Sequence, residues 1–209
     1  MTELRVYLPI HDLQPQFAAY LNSPMRARGY PPFEGEHSLI VEVAPALSIH
    51  RLCDLALKAE PQMEPGILFT ERQFGLMELH SESRDDLDAA GQAVLDGIGA
   101  SAVDQLAPVT LFHDIVRDIS DQHAIILNRS REASMLLPGQ SLLVYEMMPA
   151  LFACVAANEA ERAAPEVTIN DVQMMGASGR IFMSGATSDL EVARDAISRT
   201  LNAVEGRST

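Results

Sequence analysis

The sequence predicts an α/β protein made of two copies of one sandwich domain, each an antiparallel sheet covered by helices. The first observation is an internal repeat, since PALSIHRLCDLALKAEP at Pro45 returns 104 residues later as PALFACVAANEAERAAP at Pro149. The second is the order of local patterns in each copy: strand, strand, helix, hairpin, helix. The third is length, because 209 residues accommodate two domains of about a hundred residues each.

The repeat covers most of both halves. When the offset of 104 residues is kept without a gap, the two copies match at seven further positions: Ala46/Ala150, Leu47/Leu151, Ala56/Ala160, Lys58/Arg162, Ala59/Ala163, Pro61/Pro165 and Gly75/Gly179. Upstream, DLQPQFAAYLN from Asp12 matches DISDQHAIILN from Asp118, and downstream DLDAAGQAVLDGI matches DLEVARDAISRTL. A period this long indicates a duplicated domain and not a solenoid. It predicts a first domain at 1–106 and a second at 107–209.

In the first copy, LRVYLPI and SLIVEV are short apolar runs bounded by turn formers and predict two strands. Pro45 suits a first helical position, and the helix is expected to end before Pro61. Its apolar face is predicted by one set of residues: Leu47, Leu52, Leu55, Ala56 and Ala59.

The hairpin and the second helix follow. ILFTE and GLMELH predict strands joined by a turn at 72–75, and VTINDVQMM and GRIFMSG predict their counterparts, meeting at 176–179. In SDLEVARDAISRTLNAV, Ser188 and Glu191 have the spacing of a capping box. Both helices are expected to cover one sheet face and to leave the other free for assembly.

Charge and hydropathy narrow the classes of function. The net charge of −14 argues against nucleic acid or anionic membranes as partners, because both require a basic surface. The first 20 residues have no apolar run, so neither a signal peptide nor a membrane span is predicted. The expected location is the cytoplasm.

Signatures of catalysis are missing. Cys53 and Cys154 do not coincide in the repeat and are predicted to be buried structural thiols. The six histidines lack the spacing of metal ligands, and the chain has no phosphate-binding glycine motif. Ser178 in GASGR lacks the flanks of a nucleophile elbow. The sequence predicts no enzyme, no cofactor and no metal.

Several motifs together carry a family resemblance. They are YLPIHDLQPQFAAYL, HRLCDLALKA and FTERQFG in the first half and PALFACVAANEAERAAPEVTINDVQMMGASGRIFMSGATSDLEVARDAI in the second. The whole chain resembles a tandem-domain shell protein of bacterial microcompartments. Because each half begins with the strand that ends the ordinary domain, it resembles the circularly permuted version. The three first-half motifs are similar to those of the carboxysome-type shell trimer, whose central pore is wide and gated, and FTERQFG is the most specific of them.

The resemblance implies a homotrimer that imitates a flat hexamer, in which two trimers can stack face to face. It would tile with other shell proteins, hexamers and pentamers, in the shell of a microcompartment. Small metabolites would pass through a pore on the three-fold axis, and an edge lysine of the family would be replaced by Lys58 or Arg162.

The implied gate of this pore consists of Glu71 and Arg72. The pore residues around it are Thr70, Gln73, Phe74 and Gly75. A shorter second-domain turn would pack beside it, formed by Met175, Gly176, Ala177, Ser178 and Gly179.

Elementary electrostatics supports the gate. A ring of Glu71 and Arg72 side chains carries both signs of charge, which is a common means of selecting small polar solutes. Exposed pairs contribute only about 0 to 1 kcal/mol each, so they exchange partners easily. The competing interpretation is a solvated exposed turn. Phe74 is expected to be a core anchor beneath the turn, and Gly75 and Gly179 are expected to supply an unusual backbone angle.

Two other classes stay open at this point. A duplicated sandwich domain also suits an oligomeric regulatory module that binds a small metabolite between subunits, with Arg72 contacting an anion. An enzyme is the third class, although no nucleophile or base can be nominated. Sheet-like or rounded assemblies would indicate a shell tile, whereas ligand-dependent stabilisation would indicate a sensor.

Overall fold

The chain folds into two compact units in a computed structural model that describes residues 2–23, 26, 28–129 and 133–208. The first unit comprises Met1–Ala107 together with Glu205–Thr209, and the second comprises Pro108–Val204. The C-terminal segment therefore returns to the first unit, where Ala107 N donates a hydrogen bond to Arg207 O (2.8 Å).

The first unit contains a four-stranded antiparallel sheet in the order β1–β2–β4–β3. Its strands are β1 (Glu3–Ile10), β2 (His37–Ala44), β3 (Glu64–Thr70) and β4 (Gly75–Ser81). Its α-helices are α1 (Pro15–Leu21), α2 (Ser48–Ala59) and α3 (Arg84–Ile98), and a short 3₁₀ turn spans Ala102–Asp104. The predicted strands and hairpin are confirmed.

The second unit repeats this order as β5–β6–β8–β7, again antiparallel. Its strands are β5 (Val109–Val116), β6 (Ser141–Met148), β7 (Thr168–Gln173) and β8 (Gly179–Gly185). Its helices are α4 (Asp121–Asn128), α5 (Phe152–Ala163) and α6 (Thr187–Ala203). Gly75 and Gly179 each begin the corresponding strand, as the repeat predicted.

Backbone irregularities recur at matched positions. Asp12 and Asp118 both have positive φ, 58° and 49°, a conformation uncommon for residues other than glycine. The β1–β2 ladder shifts register between Leu4 and Val6, and the β5–β6 ladder shifts between Thr110 and Phe112. The duplication thus preserves the local shape of the backbone as well as the order of elements.

The main core of the first unit lies between one sheet face and helices α2 and α3. Leu39 and Val41 of β2 and Met77 of β4 meet Leu52 of α2 and Val94 of α3, and all five are almost completely buried. Burying each such side chain contributes roughly 1.5–3 kcal/mol. This is the sandwich that the amphipathic pattern predicted.

The prediction that the other sheet face is free is wrong where α4 packs on it in the second unit and throughout β2 in the first; in the second unit Glu146 and Arg180, farther along the strands, stay 30% and 50% exposed. In the second unit, Ala124 and Leu127 of α4 pack with Leu142 of β6 and Phe182 of β8. In the first unit, the matching face is also buried, with Ile40 fully inaccessible. The sequence did not reveal α1 and α4, because helices of 7 and 8 residues are too short for a clear 3.6-residue pattern.

Two predicted helix starts are wrong. Helix α2 begins at Ser48, so Pro45 precedes it, and Leu47 at the N-cap is 73% exposed. Ala59 is exposed as well, whereas Leu52 and Ala56 are buried.

Helix α6 begins at Thr187, which places Ser188 inside the first turn. The N-cap residue is Ala186, which has no side-chain cap. The capping-box spacing was therefore offset by two residues from the real helix start.

Both cysteines are buried free thiols, as predicted. Burial is the main cause that raises the pKa of the Cys53 thiol, which keeps it in its unreactive protonated form. Cys154 Sγ lies 3.9 Å from Met174 Sδ inside the second unit.

Asn128 closes a loop of the second unit. Its side chain donates to Leu136 O (2.8 Å) and accepts from Leu136 N (2.9 Å). We expect Asn128→Ala to destabilise the protein by about 1–2 kcal/mol, because two backbone groups next to a buried side chain lose their partners. Hydrogen exchange should show faster exchange of the Leu136 amide. The control is Asn202→Ala, at an exposed position of α6, and equal exchange in both variants would contradict the assignment.

Candidate functional site

The candidate pore turn consists of residues 71–74, between β3 and β4. Thr70 and Gly75 form the last pair of the β3–β4 ladder. Beyond it, the Glu71 backbone N–H donates to Phe74 O at 2.8 Å. Backbone bonds therefore close the base of a tight turn.

The polar side chains of this turn make no hydrogen bond or ion pair with the rest of the described structure. Glu71 is partly buried, whereas Arg72 and Gln73 are exposed. Within the described part of the chain, none of the three side chains makes a hydrogen bond or ion pair, so Glu71 and Arg72 do not pair with each other. These side chains are able to change conformation without breaking a hydrogen bond or ion pair to the described residues.

Phe74 anchors the turn through Arg5. The Arg5 guanidinium lies 3.7 Å from the centre of the Phe74 ring, and its Nε donates to Glu42 Oε1 at 2.8 Å. A cation over an aromatic face is stabilising, more strongly when it is shielded from water. The Arg5 and Glu42 side chains are 19% and 5% exposed. Phe74 was predicted to be a core anchor beneath the turn, and it is half-buried there. Arg5 was not predicted, because its only sequence signal is a charge inside an apolar strand.

Burial is the main cause that raises the pKa of Glu42, and the Glu71 carboxylate raises it further. The hydrogen bond and the charge of Arg5 act in the opposite direction. Glu71 is therefore electrostatically coupled to the carboxylate beneath its own turn. Arg5, Glu42 and Phe74 form a cluster, called here the turn anchor, that connects the turn to β1 and β2.

The second unit has a differently stabilised turn at residues 174–178. Ser178 Oγ donates to Glu146 Oε1 (2.7 Å), and Arg180 Nε donates to the same oxygen (2.9 Å). These interactions, the Ser178 bond first, lower the pKa of Glu146. Gly176 adopts φ 112°. The prediction of a shorter turn is wrong, because β7 ends at Gln173 and leaves five residues before β8, against four in the first unit.

Gly75 and Gly179 are needed for close packing and not for a backbone angle. Neither has positive φ. A Cβ at Gly75 would lie 2.0 Å from Ala46 O, and one at Gly179 would lie 2.2 Å from Ala150 O. The predicted reason for these glycines, an unusual backbone angle, was wrong. The two glycines are nevertheless equivalent, because each packs against the carbonyl oxygen of the matching alanine.

Comparison with known proteins shows the family to which this chain belongs. The family profile described as the CsoS1D N-terminal domain matches residues 4–104. The chain is 39% identical to "Carboxysome shell protein CsoS1D" of Hydrogenovibrio crunogenus, with all of both chains covered. It is 38% identical to "Carboxysome shell protein CcmP" of Synechococcus elongatus, covering 98% of this chain and 94% of that one. The chain belongs to the tandem-domain bacterial microcompartment shell proteins.

Solved structures agree with this family of shell proteins. The double-ringed trimeric shell protein MSM0271 of the RMM microcompartment is 62% identical to this chain. The two structures superpose with a TM-score of 0.96, and the match covers 100% of both chains. The fused permuted hexameric shell protein MSM0275 is 40% identical with a TM-score of 0.93, covering 99% of this chain and 100% of that one. The predicted fold, two tandem permuted shell domains, is confirmed.

The shell protein is thus a component of a bacterial microcompartment shell, as its sequence predicted. Among the described residues, no helix is both long and apolar enough to cross a membrane. Of the two residues suggested as an edge cation, Lys58 pairs with Asp54 (2.6 Å) and Arg162 with Glu159 (3.3 Å).

Proposed function

We propose that this shell protein assembles as a pseudohexameric homotrimer and that two trimers stack face to face. The observation that carries the proposal is its 62% identity, over the complete chain, to a protein described as a double-ringed trimer. A ring of three two-domain chains presents six similar domains, which suits tiling with hexameric neighbours and closure by pentamers. Head-to-tail contacts that close into a ring are a common route to such symmetry.

We further infer that the 71–74 turn lines a central pore through which small metabolites pass. The support is the exposure of Arg72 and Gln73 and the absence of side-chain partners for Glu71 and Arg72 among the described residues. Three turns around one axis would form a ring of both charges. Because exposed pairs contribute only about 0 to 1 kcal/mol each, an occluded and an open arrangement would be close in energy.

In this proposal the turn anchor determines which part of the pore loop moves. Arg5 holds Phe74 at the base, so the motion is confined to Glu71, Arg72 and Gln73. The protein then acts as a barrier and gate and not as an enzyme, in line with relatives that are described as shell proteins.

The assembly is tested by native mass spectrometry of the full chain. Three or six chains are expected, the larger number for stacked trimers. A stable monomer at micromolar concentration would contradict the proposal, since the pore exists only on an axis shared by several chains.

The gate is tested with Glu71→Ala/Arg72→Ala. We expect the fold and the trimer to be retained and the pore to be constitutively wide, because the side chains that occlude it are gone. Cryo-electron microscopy of both proteins measures the pore width. The matched control is Arg117→Ala/Glu191→Ala, which removes an exposed ion pair from the second unit without changing net charge. Positions 71 and 72 far from the axis, or a pore of unchanged width, would show that the gate is elsewhere.

A further inference from the structure

The first unit contains an acidic cavity of about 490 Å³ at the end of β4 opposite the pore turn. Four carboxylates line it: Glu36, Glu64, Glu82 and Asp86. No lysine or arginine is among its lining residues in the described part of the chain. Its volume lies within the roughly 300–1,000 Å³ of pockets that hold small molecules.

A buried histidine forms part of the cavity wall. The side chain of His80 is 1% exposed, and its Nδ1 lies 3.2 Å from each carboxylate oxygen of Glu78. Because a carboxylate only accepts, Nδ1 carries the proton of the neutral ring. Nε2 is then an acceptor, and it makes no hydrogen bond within the described structure; Glu64 Oε2 is 3.7 Å away. Buried polar atoms normally have a hydrogen-bond partner, so a hydrogen-bond donor is expected at this nitrogen.

The duplicated unit shows that the fold does not require this polar cluster. Ser38, Glu78 and His80 of the first unit stand in the register of Leu142, Phe182 and Ser184 of the second. There, Leu142 and Phe182 pack in an apolar cluster against α4. Burying a carboxylate and a histidine costs more than burying leucine and phenylalanine, which indicates a role other than stability.

The neighbouring backbone also accommodates the buried carboxylate. Ser38 Oγ donates to Glu78 Oε1 at 2.7 Å. A Cβ at Gly66 would lie 2.2 Å from Glu78 Oε2, so glycine provides the space that the carboxylate occupies. The second unit has Asn170 at the matching position. The Glu78–His80 pair is therefore built into the first unit alone.

We propose that this cavity binds a small organic cation with a primary ammonium group, which donates to His80 Nε2 while the surrounding carboxylates neutralise its charge. A primary ammonium group has three donors and one positive charge, which matches an acceptor nitrogen surrounded by carboxylates. In the described ranges, no three His, Cys, Asp or Glu side chains converge closely enough to hold a metal ion. The spacing of the carboxylates therefore favours a larger cation.

The same geometry makes binding depend on pH. Burial, the largest single influence, lowers the pKa of His80, but Glu78, Glu36 and Glu64 together raise it above its usual value. Glu82 and Asp86 also face the cavity. Protonation places a hydrogen on Nε2 and a positive charge in the site. Binding should therefore weaken as the pH falls and His80 becomes protonated.

The test is isothermal titration calorimetry of the full-length assembly with n-propylammonium chloride. Saturable binding is expected at pH 8.5, and at least about tenfold weaker binding at pH 5.5. Neutral 1-propanol and potassium chloride should give no saturable heat. Equal binding of propanol, or no saturable heat with propylammonium at pH 8.5, would overturn the proposal.

Two variants localise the site. Ser38→Leu/Glu78→Phe/His80→Ser transfers the residues of the second unit and should abolish binding. Glu64→Gln, at a half-exposed side chain that leaves the core unchanged, should weaken binding about three- to tenfold and keeps the test valid if the triple variant does not fold. The control is His113→Ser on exposed β5, which should bind like wild type. Unchanged affinity in Glu64→Gln would overturn the proposal, and neither result depends on the pore.

Discussion

Replacing Gly75 or Gly179 by alanine should destabilise the protein by about 2–4 kcal/mol, a large effect for one added methyl group. The new Cβ would lie 2.0 Å from Ala46 O in the first unit and 2.2 Å from Ala150 O in the second. Both neighbours are backbone atoms at the entry to a helix, so no side-chain rotation relieves the contact. Strand β4 or β8 would have to move away from that helix.

Gly185 provides the matched control, since it ends the strand that Gly179 begins. A Cβ at Gly185 would have its nearest neighbour at 3.7 Å, and Gly185 has no positive φ. Gly185→Ala should therefore change stability by less than about 0.5 kcal/mol. Urea denaturation at matched protein concentration measures all three variants. If Gly179→Ala were as stable as Gly185→Ala, close packing would not explain these glycines.

Removing the cation of the turn anchor should be equally damaging. Arg5→Ala would leave Glu42, whose side chain is 5% exposed, without its ionic partner. Losing one member of a buried pair typically costs about 3–5 kcal/mol, and we expect roughly 3 kcal/mol here. Arg117→Ala at an exposed pair should cost less than about 1 kcal/mol.

The destabilisation by Arg5→Ala should depend on pH with a defined sign. The pKa of Glu42 is already raised in the folded protein, chiefly by burial, and losing Arg5 raises it further. A raised carboxyl pKa makes the folded state more stable below the unfolded pKa, and this stability is lost as the pH rises through the folded pKa. The effect of Arg5→Ala should therefore be larger at pH 7 than at pH 4.5.

A second variant isolates the charge. Arg5→Ala/Glu42→Gln removes both charges and should recover part of the stability at pH 7. Denaturation midpoints at the two pH values measure this. A loss in Arg5→Ala that is identical at both pH values would indicate that stacking on Phe74, and not the buried carboxylate, carries the effect.

Much of the architecture was predictable because its signals are local. The strands from Leu4 and Ser38 show apolar runs bounded by turn formers, and their detection needs no knowledge of the partner strand. The equivalence of Pro45 with Pro149, and of Gly75 with Gly179, required only a comparison of the chain with itself. Family membership was predicted from the same local motifs, FTERQFG above all.

Tertiary structure was needed wherever a residue's role depends on a partner far away in the chain. Arg5 reaches Phe74 and Glu42 because of strand register, including a bulge that no local pattern indicates. In the sequence, Gly75 resembles a flexible turn residue, and only the structure shows that the Ala46 carbonyl packs against it. The His80–Glu78 pair resembles an ordinary alternation of polar strand residues. Only folding buries it beside a cavity, because burial and charge proximity are properties of three-dimensional packing and not of spacing along the chain.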